Sequence, residues 1–142
     1  MNLTNFTPLC LCLQTDFSGK IKTVRNMSKN AIYKNHELRN GDFLESNNGK
    51  FRAFFQDDGN FVIYTWKPTW ASDTDKTDAT RLILQEDCNL VMYNKDHKPR
   101  WQSNSSSQGC TSCRLQLNDD GNLVLSKDGI PLWTSANSKG MK

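Results

Sequence analysis

Three stretches of this chain repeat one another, and a repeat constrains the fold more than any local propensity, because equivalent segments build equivalent supersecondary units. The first runs Phe54-Phe55-Gln56-Asp57-Asp58-Gly59-Asn60-Phe61-Val62-Ile63-Tyr64. The second spans Ile83–Tyr93, with Gln85, Asp87, Cys88, Asn89, Val91 and Tyr93 at the matching places. The third spans Gln116–Ser126, with Asn118, Asp120, Gly121, Asn122, Val124 and Ser126. Gln56 and Gln85 lie 29 residues apart, and Gln85 and Asn118 lie 33 apart. Each stretch is followed by an echo of the form Trp-x-Ser, beginning at Trp70, Trp101 and Trp133, so the tryptophans recur at 31 and 32 residues. Two independent landmarks thus share one period.

Each unit reads as strand, turn, strand, loop, strand. Asp58-Gly59 and Asp120-Gly121 are hairpin signals. A three-residue loop Asp57-Asp58-Gly59, with Gly59 left-handed, places Gln56 opposite Asn60, Phe55 opposite Phe61, Phe54 opposite Val62 and Ala53 opposite Ile63. Paired residues share a face. The apolar set Ala53, Phe55, Phe61 and Ile63 then alternates with Gln56, Asn60, Val62 and Tyr64, whereas a two-residue loop splits Gln56 from Val62 and Tyr64. Cys88 replaces the turn glycine of the second unit, and a non-glycine residue there is mildly costly, so a disulfide is expected to fix that turn. Helix signals are absent. The chain is expected to be all-β, with three sheets around a pseudo-threefold axis. The segment around Leu38–Ser46 adds strands, and the three repeated tryptophans meet in the core near the axis.

The 142 residues, 36% hydrophobic and 10% aromatic, suffice for one modest domain. Mean hydropathy is −0.70, and no apolar run approaches the roughly 18 residues of a membrane helix, so no membrane insertion is expected. A net charge of +3 is too weak a balance to imply nucleic acid. Residues 1–26 show neither alternation nor a helical stripe and are read as a disordered extension before a domain over 27–142. Their apolar stretch, Leu9–Leu13, is short for a secretory signal of about 7–15 apolar residues, and no signal peptide is read. Asn2, Asn5, Asn26 and Asn104 each open a glycosylation sequon, which matters only on the secretory route.

No metal or other cofactor is expected. Neither His36 nor His97 has a neighbouring ligand, and both are read as surface residues. The five cysteines contain no paired zinc motif. The run Asp73–Asp78 lacks the glycine and terminal glutamate of a calcium loop and is read as solvated, and the serine-rich Asn104–Gly109 is read as a loop.

The chemistry lies in the polar set Gln56, Asp58, Asn60 and Tyr64, with Val62 among them, repeated unchanged as Gln85, Asp87, Asn89, Val91 and Tyr93. A carboxylate accepts hydrogen bonds, amides donate and accept, and a phenol does either. That mixture suits the vicinal hydroxyls of a sugar. Asp-Gly-Asn alone is ordinary turn chemistry, but a turn demands neither the leading Gln nor the trailing Tyr. No paired carboxylates or activated nucleophile accompany the set, so no enzyme is expected.

The spacing Gln-x-Asp-x-Asn-x-Val-x-Tyr at 56–64 and 85–93 resembles the mannose-binding signature of the bulb-type, snowdrop-lectin-like family. The likeness covers roughly residues 30–137. The cysteine-bearing serine-rich segment and the Ser-Lys-Gly-Met-Lys ending are most similar to the lily-type, pufflectin-like lectins of fish. The resemblance implies the β-prism II fold, with three antiparallel four-stranded sheets, and metal-free binding. It implies that Gln takes the O3 of mannose, Asp and Asn its axial O2 and Tyr its O4, with Val against the ring. The third copy departs from the signature at Asn118 and Ser126 while keeping Asp120, Asn122 and Val124, and is expected to be weak or dead. The resemblance further implies a Cys88–Cys113 disulfide with Cys110 left over, Cys88–Cys110 being the rival pairing.

The function expected is thus a lectin with two working sites. One shallow site binds a monosaccharide at about millimolar, roughly −4 kcal/mol, so useful affinity needs multivalency. That points to mannose-rich glycans, a homodimer and, from the resemblance, innate defence. The competing reading is a protein-interaction module, an inhibitor or receptor ligand, on the same fold. The resemblance and the disulfide point to an extracellular fluid such as mucus. The lack of a signal peptide points to an unconventional route or to the cytoplasm.

Overall fold

The computed structural model describes residues 29–142 except 110 and 111, and the strands β1 (Leu13–Thr15) and β2 (Ile21–Thr23). β1 and β2 pair antiparallel with Leu13 opposite Thr23, a pairing that the patternless reading of residues 1–26 did not anticipate. The rest of that tract, and with it Cys10, Cys12 and Cys110, lies outside the described residues.

Three very short strands come next: β3 (Ala31–Tyr33), β4 (Glu37–Arg39) and β5 (Phe43–Glu45). Three repeating units then follow. The first is β6 (Arg52–Phe55), β7 (Phe61–Tyr64) and β8 (Pro68–Ala71). The second is β9 (Ala79–Leu84), β10 (Leu90–Asn94) and β11 (Pro99–Gln102). The third is β12 (Cys113–Leu117), β13 (Leu123–Lys127) and β14 (Ile130–Thr134). Each unit makes three strands of one antiparallel sheet, and the short leading strands are dealt one to each: β5 to the first sheet, β4 to the second and β3 to the third.

This corrects the expectation that the extra strands come from Leu38–Ser46. They span residues 31–45, and Ala31–Tyr33 was missed. The reason is length: each strand is three residues long and buries one large side chain, Ile32, Leu38 or Leu44. That is too little for alternation to show.

The hairpin register is the expected one, Phe55 opposite Phe61, Phe54 opposite Val62 and Ala53 opposite Ile63. Gln56 N–H donates to Asn60 O at 2.8 Å and Gly59 N–H to Gln56 O at 3.0 Å, and the second and third units repeat both bonds. The inward positions of the paired strands are fully buried: Ala53, Phe55, Phe61 and Ile63; Leu82, Leu84, Leu90 and Met92; Leu115, Leu117, Leu123 and Leu125. Each side chain of Leu size contributes about 1.5–3 kcal/mol by leaving water. Trp70, Trp101 and Trp133 meet edge to face with centroids 5.8 to 6.4 Å apart. The indole N–H groups of Trp70 and Trp101 donate to the carbonyls of Ser138 and Lys139. That of Trp133 finds no acceptor among the described residues.

The turn position explains glycine in the first and third units and cysteine in the second. Gly59 has φ +85°, Cys88 +65° and Gly121 +84°. A Cβ at Gly59 would fall 2.2 Å from Thr77 Oγ1, so nothing larger fits there. Cys88 instead points its side chain to Cys113, forming a disulfide with a Cα–Cα distance of 5.4 Å. The disulfide expected at this turn is therefore present, in the pairing that the resemblance implied.

Candidate functional site

The outer face of the first hairpin gathers Gln56, Asp58, Asn60 and Tyr64. Gln56 and Asn60 face each other as the last pair before the turn, and Tyr64 lies at the far end of β7. Tyr64 Oη donates to Gln56 Oε1 at 3.0 Å. That bond fixes the amide: its carbonyl faces the phenol and its NH2 is left to donate. Asn60 Oδ1 accepts from Ser72 Oγ and from Thr74 N–H, both at 3.1 Å, so its NH2 also turns outward. Asp58 Oδ1 accepts Asn60 N–H at 3.0 Å, which clamps the turn and leaves the other carboxylate oxygen open. The exposed polar inventory is two amide donors, a carboxylate and a phenolic oxygen that can still accept. Adjacent sugar hydroxyls, each giving one hydrogen bond and taking another, match this set. Val62 is only 3% exposed, so the apolar contact it offers is one small edge.

The second hairpin places its five residues alike but ties them to one another more tightly. Tyr93 Oη donates to Gln85 Oε1, and Asn89 Oδ1 accepts from Ser103 Oγ and Ser105 N–H. Three further bonds close this site. Gln85 Nε2 donates to Asp87 Oδ1 at 3.3 Å, Ser106 Oγ to Asp87 Oδ2 at 2.9 Å, and Asn89 Nδ2 to Gln102 Oε1 at 2.9 Å. Burial works against the Asp87 carboxylate. The Asn89 backbone N–H, the Ser106 hydroxyl and the Gln85 side-chain amide outweigh it and hold the pKa below the usual carboxylate value. At the place of Gln102 the first unit has Ala71, since both lie opposite the signature valine.

The third hairpin is built differently. Asn118 Oδ1 accepts the N–H groups of Asp120 and Asn122, both at 3.0 Å. The shorter amide has folded back into the clamp that Asp58 makes in the first unit. Asp120 is exposed, Val124 is half-buried, and Ser126 brings no phenol to Asn118.

Sequence reasoning missed the residues that aim these groups. Thr74 and Ser105 are buried, and their hydroxyls donate to the carbonyls of Gly59 and Cys88. Ser72 and Ser103 are buried beside them, and each hydroxyl accepts the N–H of the first residue of a hairpin strand, Phe61 or Leu90. The signal was present: the Trp-x-Ser echo extends to Trp-x-Ser-x-Thr/Ser in the first two units, and Asn137 breaks it in the third. The acidic loop read as solvated is therefore partly structural at Thr74, and the serine-rich loop is anchored in the same way at Ser105. The acidic loop is also tied down, Asp78 to Arg100 at 2.6 Å and Asp73 to Lys139 at 2.8 Å. His36 and His97 are both exposed. No group of three or more metal-ligating side chains occurs among the described residues.

Comparison with known proteins follows the same lines. Residues 68–140 match the family described as D-mannose binding lectin. The B-type lectin plumieribetin of Scorpaena plumieri is 56% identical over 113 residues, 80% of this chain and 100% of that protein. A mannose-specific lectin of Aloe arborescens is 31% identical over 112 residues, 78% of this chain and 99% of that one. Among solved structures, the mannose-specific agglutinin of snowdrop (Galanthus nivalis) bulbs, complexed with methyl-α-D-mannoside, superposes with a TM-score of 0.64 at 36% identity. It covers 69% of this chain and 89% of its own.

Proposed function

The chain belongs to the D-mannose binding lectin family, whose members bind carbohydrate and are not enzymes, and from that premise we propose that it binds mannose-rich glycans through its first two hairpins. The supporting observation is the aim of the polar groups: the Tyr64–Gln56 bond and the Ser72–Asn60 bond turn both amide donors outward beside the Asp58 carboxylate. The set recognises hydroxyls directly and requires no metal. The two sites differ in readiness, because sugar entering the second displaces Gln102 from Asn89. The third hairpin takes mannose weakly or not at all. Avidity from two sites, and from two copies of the chain, supplies the affinity that one shallow site lacks. The buried Cys88–Cys113 disulfide fits work in an oxidising extracellular fluid, in defence against mannose-coated microbes.

The test is calorimetric or NMR titration of the full chain with methyl α-mannoside, with and without EDTA. Two saturating sites per chain, unchanged by chelator, are expected. Loss of binding in EDTA, or a stoichiometry near three, refutes this reading.

A further inference from the structure

The third sheet departs from the mannose signature at Asn118 and Ser126, and its outer face is built differently from the other two. Comparing the three outer faces position by position shows why. Four residues before the signature's first position, every unit has an arginine: Arg52, Arg81 and Arg114. On the first sheet Arg52 lies opposite Glu45 of β5 and pairs with it at 2.7 Å. On the second, Arg81 pairs with Glu37 of β4 at 2.6 Å. On the third, the leading strand β3 carries no acid, and Arg114 lies opposite Tyr33. Among the described residues Arg114 has no ion-pair partner, and it is exposed.

Two more exchanges remodel this face. The signature tyrosines Tyr64 and Tyr93 lie opposite Arg52 and Arg81, but opposite Arg114 stands the small Ser126. The next outward position, Phe54 or Ile83 elsewhere, is Gln116. The result is a cleft of about 440 Å³ lined by Tyr33, Ser112, Arg114, Gln116 and Ser126. That lies within the range of small-molecule sites, about 300–1,000 Å³. Asp128, adjacent in sequence to the lining residue Gly129, accepts the N–H and hydroxyl of Ser112.

We propose that this cleft is a second kind of saccharide site, specific for a sugar carrying an acidic group, a carboxylate or a sulfate. The Arg114 guanidinium, a planar fork of donors with no ion-pair partner among the described residues, receives the anionic group in bidentate fashion. Gln116 and Ser126 supply donors and acceptors for ring hydroxyls. The half-exposed Tyr33 ring, 49% accessible, offers a face to the sugar's C–H groups. The site does not depend on the mannose reading, since it shares no residue with the first two hairpins.

The experiment is an NMR titration of the full chain with glucuronate, with galactose 6-sulfate, with methyl α-mannoside and with inorganic sulfate. Saturable shifts at Tyr33, Arg114, Gln116 and Ser126 are expected from at least one acidic sugar, and which one responds identifies the anion. The same residues stay still with methyl α-mannoside and bind inorganic sulfate at least about tenfold more weakly. Arg114→Gln reduces acidic-sugar affinity by about tenfold or more while leaving the mannose titration unchanged. Ser126→Tyr, which restores the phenol of the other two sheets, fills the cleft and abolishes acidic-sugar binding. No saturable shift from either acidic sugar overturns the proposal. So does equal affinity for inorganic sulfate, or indifference of both variants.

Discussion

Gln102 offers the sharpest test of how the second hairpin works. Its Oε1 accepts an N–H of Asn89 Nδ2 at 2.9 Å, occupying one of the two amide donors that Asn60 leaves open in the first hairpin. A sugar hydroxyl that needs this donor must first break the bond. A neutral intramolecular hydrogen bond contributes about 0.5–1.5 kcal/mol net, which corresponds to about two- to tenfold in affinity. Gln102→Ala should therefore strengthen mannose binding at the second site by about that factor and leave the first unchanged. The variant should fold normally. The Gln102 backbone, not its side chain, exchanges two hydrogen bonds with Met141 at 2.7 Å, and the first unit already carries Ala71 at the equivalent place. A titration with methyl α-mannoside, followed through the Asn60 and Asn89 side-chain amide resonances, reads the two sites separately. Unchanged or weaker binding at Asn89 would refute the reasoning and make Gln102 part of the binding surface.

Asp58→Asn keeps the shape but exchanges an acceptor for a donor, and should lower affinity at the first site by at least about tenfold; Asp120→Asn should leave the mannose isotherm unchanged, as calorimetry on the two variants would show. Replacing Cys88 and Cys113 together by alanine opens a loop with a sequence separation of 25 residues and should cost about 3 kcal/mol in a urea titration. Glycine instead of alanine at 88 should recover about 1 kcal/mol, because φ there is +65°. Glu37 is desolvated, yet its bonds to Arg81 and Arg39 lower its pKa, and the bond from Arg100 lowers that of Asp78. Carboxylates depressed in the folded state give stability that is complete above their ordinary value of about 4 and is lost as pH falls through the folded value. The thermal midpoint should thus be flat from neutrality to about pH 5 and fall below about pH 4, and a midpoint that rises on acidification contradicts these pairings.

Much was legible in the sequence because the information was repeated. One hairpin with Asp-Gly-Asn says little. Three of them, in step with three tryptophans, fix the three-sheet architecture, the loop length and the inward face, since the period-2 pattern admits one register. The five-residue signature could be read because it wraps one hairpin turn: Gln56 and Asn60 flank the turn that holds Asp58, and Val62 and Tyr64 follow at alternate positions of β7, so spacing along the chain dictates position in space.

What only the tertiary structure decided are contacts between segments far apart in the chain. The leading strands β3, β4 and β5 each bury one large residue, and only the assembled sheets show that they close three different faces. The amides of Asn60 and Asn89 are aimed by hydroxyls 12 and 14 residues away. Whether the asparagine amide of a hairpin is tied back depends on the residue across from its valine, Ala71 or Gln102. Arg52, Arg81 and Arg114 look alike in the sequence, and their different fates follow from which short strand lies beside each. Hydrophobic periodicity is a local property that a single strand records. The pairing of one polar group with another depends on chain crossings, and those exist only once the three sheets have closed around their tryptophans.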